Sequence, residues 1–126
     1  MNLQLSLKRK WFEMTKAGIK TEDYREITPY WVKRLTFNNI DLSDEDIEMA
    51  LGALCNGYSQ ETVINIYGLY VKQFTTNTMT LGYPKKDDFE RILKLEHKGI
   101  EIREGNPEWG AEPGKKYFVI KHGKQL

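Results

Sequence analysis

The chain has little with which to staple itself, cross a bilayer or steer a partner from a distance. Its single cysteine, Cys55, excludes an intramolecular disulfide. The apolar run of Leu51, Ala53 and Leu54 before it predicts a packed thiol rather than a nucleophile. No apolar run reaches the length of a membrane span or a signal sequence, so the expected setting is cytoplasmic, with no membrane partner. Neither sign of charge is in excess: 19 basic against 18 acidic residues give +1. That balance excludes a polyanion binder acting through its global field, and any anion site must be local. Histidine is scarce as well. His97 and His122 stand far apart without Cys or acidic residues at ligand spacing, so neither a metal nor any other cofactor is expected. Repeats and low-complexity segments are missing too.

What is present suffices for one folded domain: 126 residues, 40% hydrophobic and 12% aromatic. Leu3, Leu5 and Leu7 alternate with polar residues, the period of a half-buried strand. Lys8 to Ala17 carries Trp11, Phe12, Met14 and Thr15 at helical spacing, with Gly18 placed to stop the helix. Lys20 to Ile27 predicts a second strand, and Pro29 starts a helix through Tyr30, Trp31, Val32 and Leu35. Ser43 caps a helix running to about Leu54, with Asp46 near its third position. Residues from Ser59 to Phe74 read as a further helix, although their β-branched and aromatic content also suits a strand. Thr75 to Lys86 reads as a loop from its Thr, Asn, Gly82 and Pro84. Phe89 to Ile102 predicts a long strand with a bulge, or a hairpin, at Lys98-Gly99. Turn-forming clusters follow at Glu104 to Pro107 and Glu112 to Lys115, and Tyr117 to His122 closes the chain as a strand. The pattern predicts an α+β fold, a small barrel with short helices.

Gly18-Ile-Lys-Thr-Glu-Asp-Tyr-Arg25 concentrates charge in a short β-prone segment. In a regular strand Asp23 and Arg25 share a face with Thr21 and Ile27, while Glu22, Tyr24 and Glu26 take the other. If Ile27 points inward, Asp23 and Arg25 must pair or line a wet cleft, because burying unpaired charge costs several kcal/mol. Lys20 joins them from the preceding turn. Two readings follow: an ordinary ion pair on a solvated edge strand, or a site in which Lys20 and Arg25 bind an anionic or carbonyl group, with Asp23 as base or acceptor.

The run from Leu5 to Trp31, including Leu-Ser-Leu-Lys-Arg-Lys-Trp-Phe-Glu-Met and Gly-Ile-Lys-Thr-Glu-Asp-Tyr-Arg-Glu-Ile-Thr-Pro-Tyr-Trp, resembles the ASCH domain family. The tail from Gly105 to Lys121 is similar to the end of that family's phage and bacterial members. The resemblance covers about the first 35 and last 40 residues. It implies a PUA-like β-barrel whose cleft binds RNA or a nucleotide, with Lys20, Asp23 and Arg25 inside. Residues from about 38 to 86 fit poorly and read as an added helical segment. The usual family pattern has Glu where this chain has Asp23, a role that Glu22 takes if the register slips by one. One branch resembles small amidohydrolases that deacetylate N4-acetylcytidine with a hydroxyl nucleophile near a lysine and a separate glutamate. At the hydroxyl's position this chain has Asp23, and Thr21 lies beside Lys20. A hydrolytic route here would use Asp23 to activate water, Lys20 to stabilise the oxyanion and Glu108 to supply a proton.

Outside the motif, Lys8-Arg9-Lys10 suits phosphate contacts or a solvated helix start. Tyr30, Trp31 and Trp109 suit stacking on a base or core packing. Asp41 to Glu48 is acidic and is expected to face away from any phosphate path. Three functions are therefore expected to compete: a nucleotide- or RNA-binding module, a small amidohydrolase acting on an acylated nucleoside, and a protein that captures a protein partner through its central helices.

Overall fold

A computed structural model describes residues 1–38, 43–56 and 69–126, without the side chains of 37, 38, 44, 51, 54, 55 and 69. The first strand, β1 (Asn2–Leu7), buries Leu3, Leu5 and Leu7 and exposes the residues between them, as its alternation predicts. Helix α1 (Arg9–Lys16) follows and buries Phe12 and Thr15. Its end is set by Gly18 at φ 76°, which lets the Ile19 N–H turn back to the Met14 carbonyl at 3.0 Å. The chain then enters β2 (Glu22–Arg25) and α2 (Pro29–Leu35). Thr28 caps α2 by accepting from the Trp31 N–H at 3.4 Å, and Pro29 sits where a missing N–H does no harm.

Strand β3 (Thr36–Asn38) pairs antiparallel with β4 (Leu69–Val71) in a small separate sheet. Helix α3 (Asp44–Cys55) begins with the expected capping box. Ser43 Oγ accepts from the Asp46 N–H at 3.1 Å, and the Asp46 carboxylate accepts from the Ser43 N–H at 3.1 Å. The helix expected from Ser59 to Phe74 lies outside the described residues up to 68. From Leu69 to Val71 the chain is a strand instead, in keeping with its Tyr and Val content. The packed thiol expected at Cys55 concerns a side chain outside the described set.

The main correction is at Thr75 to Lys86, which the sequence reading made a loop. Thr76–Leu81 is strand β5, an inner strand lying parallel to β1 with Leu5 opposite Met79. Thr76 and Thr78 bind the Asn2 side-chain oxygen at 2.7 and 2.8 Å, while Met79 on the other face is fully buried. Threonine here acts as a β-branched strand former rather than a turn residue. Strand β6 (Ile92–Glu104) pairs with β5 and then with β7 (Lys116–Gln125), its register shifting between Leu95 and His97 and again between His97 and Gly99. The bulge expected near Lys98-Gly99 is therefore present, in one continuous strand.

The five strands run in the order β1-β5-β6-β7-β2 and curl into a half-barrel, giving a mixed α+β architecture with three helices among the described residues. All three helices bury residues against its inner face: Phe12 from α1, Val32 and Leu35 from α2, and Ile47 and Ala50 from α3 join Leu5, Met79, Leu93, Phe118 and Ile120. A second cluster, Ala111, Tyr117 and Val119 with Tyr24 against it, forms on the other face. Among the described residues no helix is long and apolar enough to cross a membrane.

Candidate functional site

The edge strands β1 and β2 flank a cleft of about 570 Å³. Lys20, Asp23, Arg25, Tyr30, Trp31 and Trp109, the six ligand-binding candidates read from the sequence, all line it. Glu108 does not. It is exposed on the turn Pro107–Trp109, and the carboxylates lining the cleft are Asp23, Glu26 and Glu112. Lys8 lines the cleft, whereas Arg9 is exposed and lies 3.9 Å from Glu13. None of the described residues of the acidic run Asp41 to Glu48 lines it; Asp41 and Leu42 lie outside the description.

The strand reading placed Asp23 and Arg25 on the inner face, and β2 pairs them with Ile120 and Phe118 of the core. Of the two alternatives for them, pairing with each other or lining a cleft, the structure has the second: both line the cleft and they are not paired with each other. Arg25 reaches away, donating to the Tyr24 carbonyl at 2.8 Å and the Ser6 carbonyl at 3.2 Å, so it spans from β2 to β1. Asp23 Oδ1 is instead bound by Lys20 Nζ, and Asp23 Oδ2 lies 2.7 Å from His122 Nε2. Spacing along a strand does not forbid such a pair, since the Tyr24 hydroxyl reaches Glu22 at 2.7 Å along β2 and Arg103 reaches Glu101 at 2.9 Å along β6; Asp23 is instead engaged on both oxygens, by Lys20 from the turn before β2 and by His122.

Lys20 and Asp23 form a buried ion pair, each about 2 to 3% exposed. Burial works against the Asp23 charge, but the His122 hydrogen bond and the Lys20 charge outweigh it and hold the carboxyl below its ordinary range. Burial lowers the Lys20 ammonium, against the attraction of Asp23. Of the three Lys20 N–H groups, one goes to Asp23 and one to the Glu22 carbonyl at 2.6 Å. The third has no hydrogen-bond acceptor among the described residues, and Lys20 lines the cleft. The Trp11 and Tyr24 rings flank the ammonium at 5.8 and 5.6 Å.

Glu22 does not take over the role of Asp23. It points to the opposite face, where Arg103 binds it at 2.5 and 3.2 Å and the Tyr24 hydroxyl donates to it at 2.7 Å. Burial works against this carboxylate too, and the Arg103 and Tyr24 hydrogen bonds overcome it. Burial and the Glu22 charge in turn push the Tyr24 hydroxyl well above its ordinary value. Since that hydroxyl also accepts from the Asn106 N–H at 2.8 Å, Tyr24 ties the Gly105–Asn106 turn to β2.

The sequence reading missed several walls of the cleft. Arg34 lies 5.0 Å over the Trp31 ring, beside Arg25 at 5.3 Å, and donates to the Gln4 carbonyl. Burial lowers Arg25 from its usual value and Arg34 adds repulsion, with Asp23 opposing both. Trp11 sits against Gly110, whose φ of 97° needs glycine and whose added Cβ would meet the ring at 2.9 Å. All three tryptophans of the chain, Trp11, Trp31 and Trp109, thus line one cleft. His122 was missed for want of a sequence neighbour. Parity along β7 carries the signal, since His122 follows Phe118 and Ile120 on the core-facing side.

Chemically, the cleft offers aromatic faces, the guanidinium groups of Arg25 and Arg34, the Lys8 ammonium and one buried N–H donor fixed by Lys20. Among the lining carboxylates, Glu26 is engaged by Lys115 at 2.8 Å and Glu112 lies on the same wall. Compared with protein-family models, with curated proteins and with solved structures, the chain gives no match.

Proposed function

We propose that the chain is an RNA- or nucleotide-binding module, a PUA-like fold of the ASCH type, that holds a base and its phosphate in the cleft between β1 and β2. The observation that carries this reading is the convergence of Trp11, Trp31 and Trp109 with Lys8, Lys20, Arg25 and Arg34 on one cleft in a chain of nearly zero net charge. Aromatic faces accept any base, each stacking contact contributing about 1 to 3 kcal/mol. The guanidinium groups suit phosphate oxygens, and the unengaged Lys20 N–H suits a carbonyl oxygen on a base edge.

Hydrolysis of an acylated nucleoside is the second reading, favoured by that same N–H, which could polarise a scissile carbonyl. Against it, both Asp23 oxygens are already engaged, by Lys20 and by His122, and Glu108 is outside the cleft. Binding of short single-stranded RNA, measured by anisotropy over a salt series, tests the proposal. Lys20→Ala with Arg25→Ala is expected to weaken binding about tenfold or more and to flatten the salt dependence. Unchanged affinity in that double variant removes the cleft from the account. Deacylation of N4-acetylcytidine by the wild-type chain, lost in Lys20→Ala, would replace binding by catalysis.

A further inference from the structure

Behind the Lys20–Asp23 pair runs a row of polar side chains across the inner face of the sheet. Asn77 of β5, His97 of β6, His122 of β7 and Asp23 of β2 stand where alternation places core residues; each of the first three lies two positions from Met79, Leu95 and Ile120. Asn77 is fully buried. Its Nδ2 donates to the Lys121 carbonyl at 3.3 Å and lies 2.7 Å from His122 Nδ1, while its Oδ1 lies 2.7 Å from His97 Nδ1.

A backbone carbonyl can only accept, so the Lys121 contact fixes which end of the Asn77 amide is NH2. An NH2 group can only donate, so His122 Nδ1 must present its lone pair. The His122 ring proton then sits on Nε2, which donates to Asp23 Oδ2, and Asp23 is left as an acceptor-only carboxylate bound on its other oxygen by Lys20. On the far side, His97 donates its Nδ1–H to Asn77 Oδ1. The amide in the middle does not transfer protons, so the row orients rather than conducts.

We infer that Asn77 and His122 are positioning residues of the cleft: Asn77 locks His122 in its neutral Nε2–H form, which keeps Asp23 anionic and Lys20 charged, with one N–H aimed at an acceptor oxygen of the ligand. The ligand half of this inference rests on the reading of the cleft as a nucleotide site; the tautomer half does not. Charged and titratable groups near His122 include Asp23 on β2, Lys20 in the turn before it, His97 on β6 and Lys16 of α1. Lys16, Lys20 and His122 share the wall of a second cavity of about 160 Å³. The ligand class that fits a fixed donor is one presenting a carbonyl or anionic oxygen to Lys20, so a ligand offering only N–H groups there is disfavoured.

Two-bond ¹H–¹⁵N correlation spectra of the full chain, labelled at histidine and taken without ligand in mildly alkaline solution, test the lock. The expected result is a His122 ring with the Nε2–H pattern. An Nδ1–H pattern overturns the inference whether or not RNA binds. His122→Gln and His122→Leu then test the positioning role. A glutamine amide can accept from Asn77 and donate to Asp23, so it is expected to keep RNA affinity, whereas leucine of similar bulk is expected to lose about tenfold or more. Equal affinity in the two variants overturns the positioning role. The locked tautomer in a chain that binds no RNA overturns the ligand half and the proposed function together while leaving the lock standing.

Discussion

Asp23 and Glu22 are neighbours in sequence that face opposite sides of β2, and each is a buried carboxylate held charged by partners on its own side. Both titrate below their ordinary values of 3.8 and 4.5. In the acid range the unfolded chain therefore binds more protons than the folded one. The stability these groups contribute is complete above those ordinary values and is lost as pH falls through the lower folded ones. Urea denaturation as a function of pH is expected to show a flat neutral region and a steep acid loss that is shallower in Asp23→Asn. At neutral pH Asp23→Asn is expected to cost about 3 to 5 kcal/mol, because it strands the Lys20 ammonium in a buried site. A cost below about 1 kcal/mol, the range of an exposed pair, would mean that solvent reaches the Lys20–Asp23 pair freely.

At the scale of elements, Gly110 connects the turn after Pro107–Trp109 to α1 through Trp11. Gly110→Ala puts a side chain at φ 97° and a Cβ 2.9 Å from that ring. It is expected to destabilise the fold by about 1 to 3 kcal/mol, read as a lower urea midpoint. Gly52→Ala, in α3 with open space around it among the described residues, is expected to do the reverse by about 0.5 to 1 kcal/mol. A similar effect from both substitutions would contradict the contact at Trp11. The elements that were legible in sequence carry local signals: leucine parity in β1, the Gly18 stop, the Thr28 and Ser43 caps. Strand β5 was not legible, because Thr and Asn serve both turns and strands, and what decides between them is pairing with β1 some seventy residues away. The charged motif predicted a site, but its partner His122 lies 99 residues from Asp23. Only the register of β2 against β7 brings the two together. Only once β5, β6 and β7 are in place does parity put Asn77, His97 and His122 in core-facing positions, a pattern that spacing for metal ligands overlooks.

For the whole molecule, the curled sheet leaves β1 and β2 as edges, and Arg25 and Arg34 extend to β1 carbonyls at Ser6 and Gln4. The helices fill the inside of the curl and the cleft opens where the edges approach, so the fold gathers aromatic and cationic groups without a basic overall charge. Because Trp11, Trp31 and Trp109 are the only tryptophans and all line the cleft, the protein carries its own reporter. Titration of the wild-type chain with short single-stranded RNA, followed by intrinsic tryptophan fluorescence, tests the central claim most directly. A saturable change that is lost in Lys20→Ala with Arg25→Ala is the predicted result. RNA that binds by anisotropy while leaving tryptophan emission unchanged would contradict it.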